Sequence, residues 1–195
     1  MGKFTRAEWI QGTSALEISS LPILAQALKE LEDLLILDKE PLKYTTPTAA
    51  PIKKRGNTAK SVAQEPYNRA RYWTYLNDRK AGFSELYQFC FVLAKPPQGR
   101  NIDIETAIAF WSVLLSPRYP IMSNIIEFLN AKGTYKGANK DLWSMMLEFC
   151  RTVDPSLKDY EADGAWPTLL DDFVAWKKSQ TTAANNADAT DVEME

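Results

Sequence analysis

The sequence predicts an all-α fold, and three observations carry that prediction. Apolar residues recur at spacings of three and four through most of the chain, as one face of a helix requires. Cap residues, prolines and glycines fall at the ends of those stretches. No convincing strand pattern interrupts them. The chain has 195 residues, 45% of them hydrophobic, with six tryptophans and eight phenylalanines. That is enough apolar material for one sizeable core or two small ones.

Taken in order, Thr5-Arg6-Ala7-Glu8 matches a capping box, and Trp9 opens the apolar side of the first helix. This helix starts almost at the first residue, so the sequence reads as beginning inside a longer unit. Ser20 is placed to cap the next helix, LPILAQALKELEDLLIL, with Pro22 in its first turn. Leu24, Leu28, Leu31 and Leu35 form its stripe, and it ends near Asp38. From Lys39 to about Ala70 the periodicity fails. Four prolines, several threonines and Lys53-Lys54-Arg55 describe a loop without a core, read here as a disordered insert. Helical character resumes around Tyr67.

Phe83, Leu86, Tyr87, Cys90 and Leu93 or Ala94 line one side of a strongly apolar helix that Pro96-Pro97 stops. Asp103 caps a helix through Ala107, Phe110, Trp111, Leu114 and Leu115. It is apolar nearly all round and is expected to be the central buried helix. After Pro117 and Pro120, Met122 to Lys132 follows, with Ile125, Ile126 and Leu129 inward and Gly133 as the C-terminal signal.

Two amphipathic helices close the folded part. The first runs from about Asn139 to Thr152, with Leu142, Met145, Met146 and Phe149 on its apolar face. Asp141, Ser144, Glu148 and Arg151 fall on the other. An acidic turn holds Asp159, Glu161 and Asp163. Pro167 suits the first turn of the second helix. Leu170, Phe173, Val174 and Lys177 face inward there, widened by Leu169 and Trp176, while Asp171, Ala175 and Lys178 share another face. The residues from 179 onward carry four acids and no base, and are expected to be a disordered acidic tail.

Charge is unevenly spread. The net charge is -2, yet Asp38 to Lys80 holds ten basic and four acidic residues, or +6, leaving -8 for the rest. Histidine is absent, which removes Ser-His-Asp and Cys-His catalysis and His-bearing metal sites. Cys90 and Cys150 sit in apolar helical patterns and read as buried thiols of a reducing, intracellular compartment. No apolar run approaches the roughly 18 residues of a membrane span, and no signal-peptide pattern opens the chain. Asp171 and Asp172 point roughly 100° apart on a helix, so they form no catalytic dyad by spacing. No metal-ligand series and no phosphate-binding loop is present, so no cofactor, metal or catalytic residue is expected.

What remains is a surface. Asp141 and Asp171 lie off the packed faces of neighbouring helices, where a basic partner could dock across them. The residues thus favour a helical protein-binding domain. The alternative is a nucleic-acid-binding domain using the basic insert, against which the acidic remainder speaks.

The stretches FSELYQFCFVLAKPPQGRNIDIETAIAFWSVLLSPRYPIMSNIIEFL, KDLWSMMLEF and DYEADGAWPTLLDDFVAW resemble the potentiating-neddylation domain of the defective-in-cullin-neddylation family. The likeness covers about 83–178 closely, and GAWPTLLDDFVAW is its most specific part. Phe4 to Leu35 also resembles the preceding stretch of that domain, with FTRAEW inside its second EF-hand-like helical pair. The resemblance therefore implies an EF-hand-like but incomplete N-terminal part packed on a helical C-terminal part. The implied divisions are 1–37 for the partial EF-hand-like segment, 38–80 for the basic insert, 81–178 for the cullin-binding part and 179–195 for the tail.

The same resemblance implies a monomeric, non-catalytic co-E3 acting in cytoplasm and nucleus. Its partners would be a cullin C-terminal winged-helix domain, the NEDD8-charged E2 with an acetylated N-terminus, and the RING protein of the complex. The family's cullin-binding patch of Asp, Ala and Asp matches Asp141 in KDLW, Ala165 in GAWP and Asp171 in LLDD. Its apolar pocket for the E2's acetyl-methionine matches Phe4, Leu93 and Val113. The family pattern has phenylalanine where Leu93 stands and leucine where Val113 stands. It also has a first EF-hand-like pair, in some members a ubiquitin-associated domain, and only a short connection where this chain carries 38–80.

Overall fold

Among the described residues, eight α-helices and one two-stranded ladder are present. The computed structural model describes residues 3–43, 65–161 and 163–190, with side chains through 181. The chain divides into two compact units, Met1–Leu86 and Tyr87–Glu195.

In the first unit, helix α1 spans Arg6–Ala15 and its capping box is formed. The Thr5 N–H donates to Glu8 at 2.7 Å, and the Glu8 N–H donates to the Thr5 hydroxyl at 3.2 Å. Helix α2 spans Leu21–Leu31 and continues into a π-helical turn, Glu32–Ile36. Ser20 stands at the N-cap, but its side chain makes no capping bond. Leu28, expected in the inward stripe, is 60% exposed, while Ala27, Leu34 and Leu35 are buried. Ala27 rather than Leu28 continues the inward line from Leu24 to Leu31 at helical spacing, and the line runs on to Leu34 and Leu35 in the π turn. Helix α3, Ala70–Asn77, lays Tyr72 on those two leucines, with Leu31, Trp73, Tyr75, Leu76 and Leu86 around them.

Within the segment 38–80 read as a largely disordered insert, helix α3 begins three residues after Tyr67, where helical character is expected to resume, and residues 67–79 are tied back to the preceding helix and to Asp38. Tyr67 and Arg69 both donate to the Glu30 carboxylate of α2, and Arg79 donates to Asp38 at 3.0 Å. These partners lie some forty residues back in sequence, which local periodicity does not register. Residues 44–64, with Lys53-Lys54-Arg55, lie outside the described residues.

Helix α4, Arg79–Ala94, carries the division between the units. Beyond it come β1 (Ile102–Asp103), α5 (Ile104–Leu114), α6 (Ile121–Lys132), β2 (Gly137–Ala138), α7 (Lys140–Thr152) and α8 (Thr168–Thr190). The core of this unit centres on α7 rather than α5. Trp143 is fully buried, stacked on Tyr87 at 4.6 Å and on Trp111 at 5.7 Å. Every polar atom those rings carry is bonded. Tyr87 donates to the Trp143 carbonyl at 2.8 Å, Trp143 Nε1 donates to the Tyr87 carbonyl at 3.1 Å, and Trp111 Nε1 donates to the Tyr87 hydroxyl at 2.9 Å. Helix α5 buries only Ala107, Trp111 and Leu114, and Val113 is 61% exposed, so it is a half-buried helix. On α4 the buried face continues through Phe91, and Leu93 is exposed.

The ladder was not legible. Strands β1 and β2 pair antiparallel, Ile102 with Ala138 and Asp103 with Gly137. Two residues are too few to leave an alternating signal. The expected tail from 179 is corrected as well, since the α8 backbone is helical to Thr190. Residues 191–195 lie outside the described residues. Both cysteines are buried, and burial pushes the Cys150 thiol up to about 12 and raises that of Cys90.

Candidate functional site

The ladder sets where α7 begins. Asp103 ends β1 and caps α5, accepting from the Thr106 N–H at 2.8 Å and its hydroxyl at 2.7 Å. Those bonds hold its carboxyl below the usual range. On the other strand Ala138 leads into Asn139, which caps α7 by accepting from the Leu142 N–H at 2.7 Å. A Cβ on Gly137 would stand 2.6 Å from the Ile102 carbonyl oxygen, so only glycine permits this approach. Asp141 emerges from the first turn of α7, exposed, where the helix dipole favours a carboxylate.

Two turns along α7, Phe149 is fully buried and gathers the other parts of the surface. Trp166 meets it edge-on at 5.2 Å, Phe173 of α8 at 6.1 Å and Tyr160 at 6.5 Å. Trp166 anchors its neighbour Ala165, which is exposed. Gly164 fits under the same indole, for a Cβ there would lie 2.8 Å from Trp166 Nε1. The Tyr160 hydroxyl donates to Asp171 Oδ1 at 2.6 Å, and the Lys178 ammonium lies 5.4 Å from the Tyr160 ring centre. Partial burial and then the Asp171 carboxylate push the Tyr160 hydroxyl up to about 12. Asp172 is held in the same manner, by a 2.6 Å bond from Tyr135.

Asp171 and Ala165 are thus tied to one aromatic hub, and Asp141 lies on the helix that carries it. The two tyrosines are absent from the sequence reading. The available signal for Tyr160 is an aromatic residue inside the acidic run Asp159-Tyr160-Glu161. Asp171 is held by the neutral Tyr160 hydroxyl and Asp172 by that of Tyr135. A hydroxyl donor orients a carboxylate without adding a positive charge.

The residues matched to an apolar pocket are exposed one by one. Phe4 precedes α1, 6.1 Å from Trp9. Leu93 lies near the end of α4, and Val113 near the end of α5. Among the described residues no three His, Cys, Asp or Glu side chains gather as metal ligands, and no helix is long and apolar enough to cross a membrane.

Comparison with known proteins places these features in a lineage. A family model described as cullin binding matches residues 67–176. DCN1-like protein 5 of Homo sapiens is 40% identical over 108 residues, 55% of this chain and 45% of that protein. DCN1-like protein 4 of Drosophila melanogaster is 37% identical over 134 residues, 67% of this chain and 52% of that protein. DCN1-like protein 4 of Danio rerio is 30% identical over 180 residues, 92% of this chain and 49% of that protein. The chain spans about half the length of the curated relatives it matches. The matched family region contains α7, the acidic turn and the start of α8 together, and the chain belongs to the cullin-binding family of DCN1-like proteins.

Proposed function

We propose that this protein promotes cullin neddylation as a non-catalytic co-E3. The surface of Asp141, Ala165 and Asp171 docks a cullin's C-terminal winged-helix domain. The NEDD8-charged E2 is held beside it, next to the RING protein, so that the thioester meets the acceptor lysine. The contribution is proximity and orientation, and the E2 and RING protein supply the reacting groups. One observation carries the reading: the cullin-binding match runs through 67–176, the stretch in which Asp141 and Ala165 are exposed and Asp171 is fixed.

The chemistry is consistent with it. Two carboxylates on one surface suit basic groups on the partner. An exposed alanine lets the partner backbone come close. For the E2, acetylation removes the N-terminal ammonium, so its methionine can be buried without an unpaired charge. Leu93 and Val113 offer apolar contact for such an end.

Calorimetry against a cullin winged-helix domain tests the reading. Saturable binding by the unchanged chain, abolished in Ala165→Arg and Asp171→Lys variants that still unfold cooperatively, is the expected result. A folded chain that does not bind, or variants that bind equally well, would overturn it.

A further inference from the structure

Asp171 has an unusual partner for an aspartate on a docking surface. Its Oδ1 accepts from a tyrosine at 2.6 Å, and it takes part in no ion pair among the described residues. The distinction has physical content. A lysine or arginine in that place would fix the carboxylate but cancel its charge. Water alone would leave the charge but not the orientation. A neutral hydroxyl at this distance makes a strong O–H to carboxylate bond and leaves the negative charge intact. The second oxygen, Oδ2, accepts no hydrogen bond among the described residues.

Tyr160 is itself held. Its ring packs on buried Phe149, and the Lys178 ammonium sits over it. The hydroxyl therefore does not depend on the carboxylate for its place. Asp171 lies within the first turn of α8, where the free N–H groups of the helix end compete for an aspartate side chain. The tyrosine bond fixes one carboxylate oxygen against that competition.

We infer that Tyr160 is a positioning residue of the docking surface, holding Asp171 in its binding rotamer without neutralising it. This inference rests on the cullin-docking reading above. It assigns to the acidic turn a task beyond joining two helices, and it makes the surface a set of four side chains rather than three.

The test is a double-mutant cycle on the full chain, read as affinity for the cullin winged-helix domain by calorimetry. Tyr160→Phe keeps the ring and removes the hydroxyl, and is expected to weaken binding about three- to tenfold, the usual worth of one immobilised side chain. The double variant Tyr160→Phe with Asp171→Asn is expected to bind no more weakly than Asp171→Asn alone, because the hydroxyl acts through that carboxylate. The dependence of affinity on salt separates the roles: Tyr160→Phe leaves the slope unchanged, and Asp171→Asn reduces it. Tyr135→Phe, which removes the matching bond to Asp172, serves as the control and keeps the affinity within about twofold.

Unaltered affinity in Tyr160→Phe, or losses that simply add in the double variant, would overturn the inference while leaving the docking reading in place. No binding by the unchanged, folded chain would remove both. Thermal unfolding of each variant shows that lost affinity is not lost fold.

Discussion

Tyr87 and Trp143 hold each other twice: the tyrosine hydroxyl donates to the Trp143 carbonyl at 2.8 Å, and the Trp143 indole donates to the Tyr87 carbonyl at 3.1 Å. The rings stack at 4.6 Å between those bonds. The arrangement joins α4 to α7 with no polar atom left over in a dry core. Tyr87→Phe keeps the stack but takes the acceptor away from the Trp111 indole N–H. The expected loss is about 1–3 kcal/mol, the cost of an unpaired buried polar group. Urea unfolding measures it. A change within about 0.5 kcal/mol, the range of ordinary surface substitutions, would mean that stacking alone holds the helices.

Gly137→Ala is expected to destabilise the chain by about 1–3 kcal/mol, as overpacking does. The added methyl would meet the Ile102 carbonyl at 2.6 Å, and a backbone atom of a paired strand has nowhere to go. Since β2 leads directly into the α7 cap, affinity for the cullin domain should fall as well. Calorimetric unfolding and a binding titration on the same sample check both.

Gly164→Ala acts closer to the partner. The methyl would press on Trp166, which cannot retreat because its edge contact with Phe149 is already made. Expected are a stability loss of about 1–2 kcal/mol and a several-fold weaker docking, both traceable to a displaced Ala165. Normal affinity in this variant would show that the turn tolerates a shift.

Stability against acid should depend on Glu30. Burial pulls its carboxyl upward, but the bonds from Arg69, Tyr67 and Gln26 outweigh that and hold it below the ordinary glutamate value. A folded-state value lowered in this way gives stability that is complete above the unfolded pKa of about 4.3 and is lost as pH falls through the folded value. Denaturant unfolding from pH 7 downward should therefore show a shallower acid limb for Glu30→Gln than for the unchanged chain. The two curves should converge once Glu30 is protonated. Parallel curves at all pH values would contradict the assignment.

Much of this fold is written in local spacing. Asp103, Asn139 and Gly133 mark helix ends because capping is a matter of neighbours, and the structure has all three at caps. Other features depend on distant partners. Leu28 faces solvent because packing turns Ala27 inward, a choice that fits the three-and-four spacing equally well. Tyr67 and Arg69 look like loop residues until Glu30 is brought to them by folding. Trp143 falls outside the chosen apolar face of α7, yet it is the residue around which that unit packs. The residues proposed for docking divide the same way. Asp141, Ala165 and Asp171 are found by motif. Tyr160 is found only when its bond is seen, because a hydroxyl eleven positions away has no fixed spacing to a helix.

The aromatic hub at Phe149 has a consequence for anyone seeking to imitate or block this surface. The segment 165–178 alone carries Ala165 and Asp171 in the right order, but it lacks the Phe149 that seats Trp166 and the Tyr160 that turns the carboxylate. Asp141 comes from yet another stretch, delivered by a strand pair. The proposed recognition element is a discontinuous epitope. A linear peptide copied from α8 should compete poorly, and antibodies raised on the unfolded chain should miss it. A useful mimic would need to reproduce three separate segments on one rigid support.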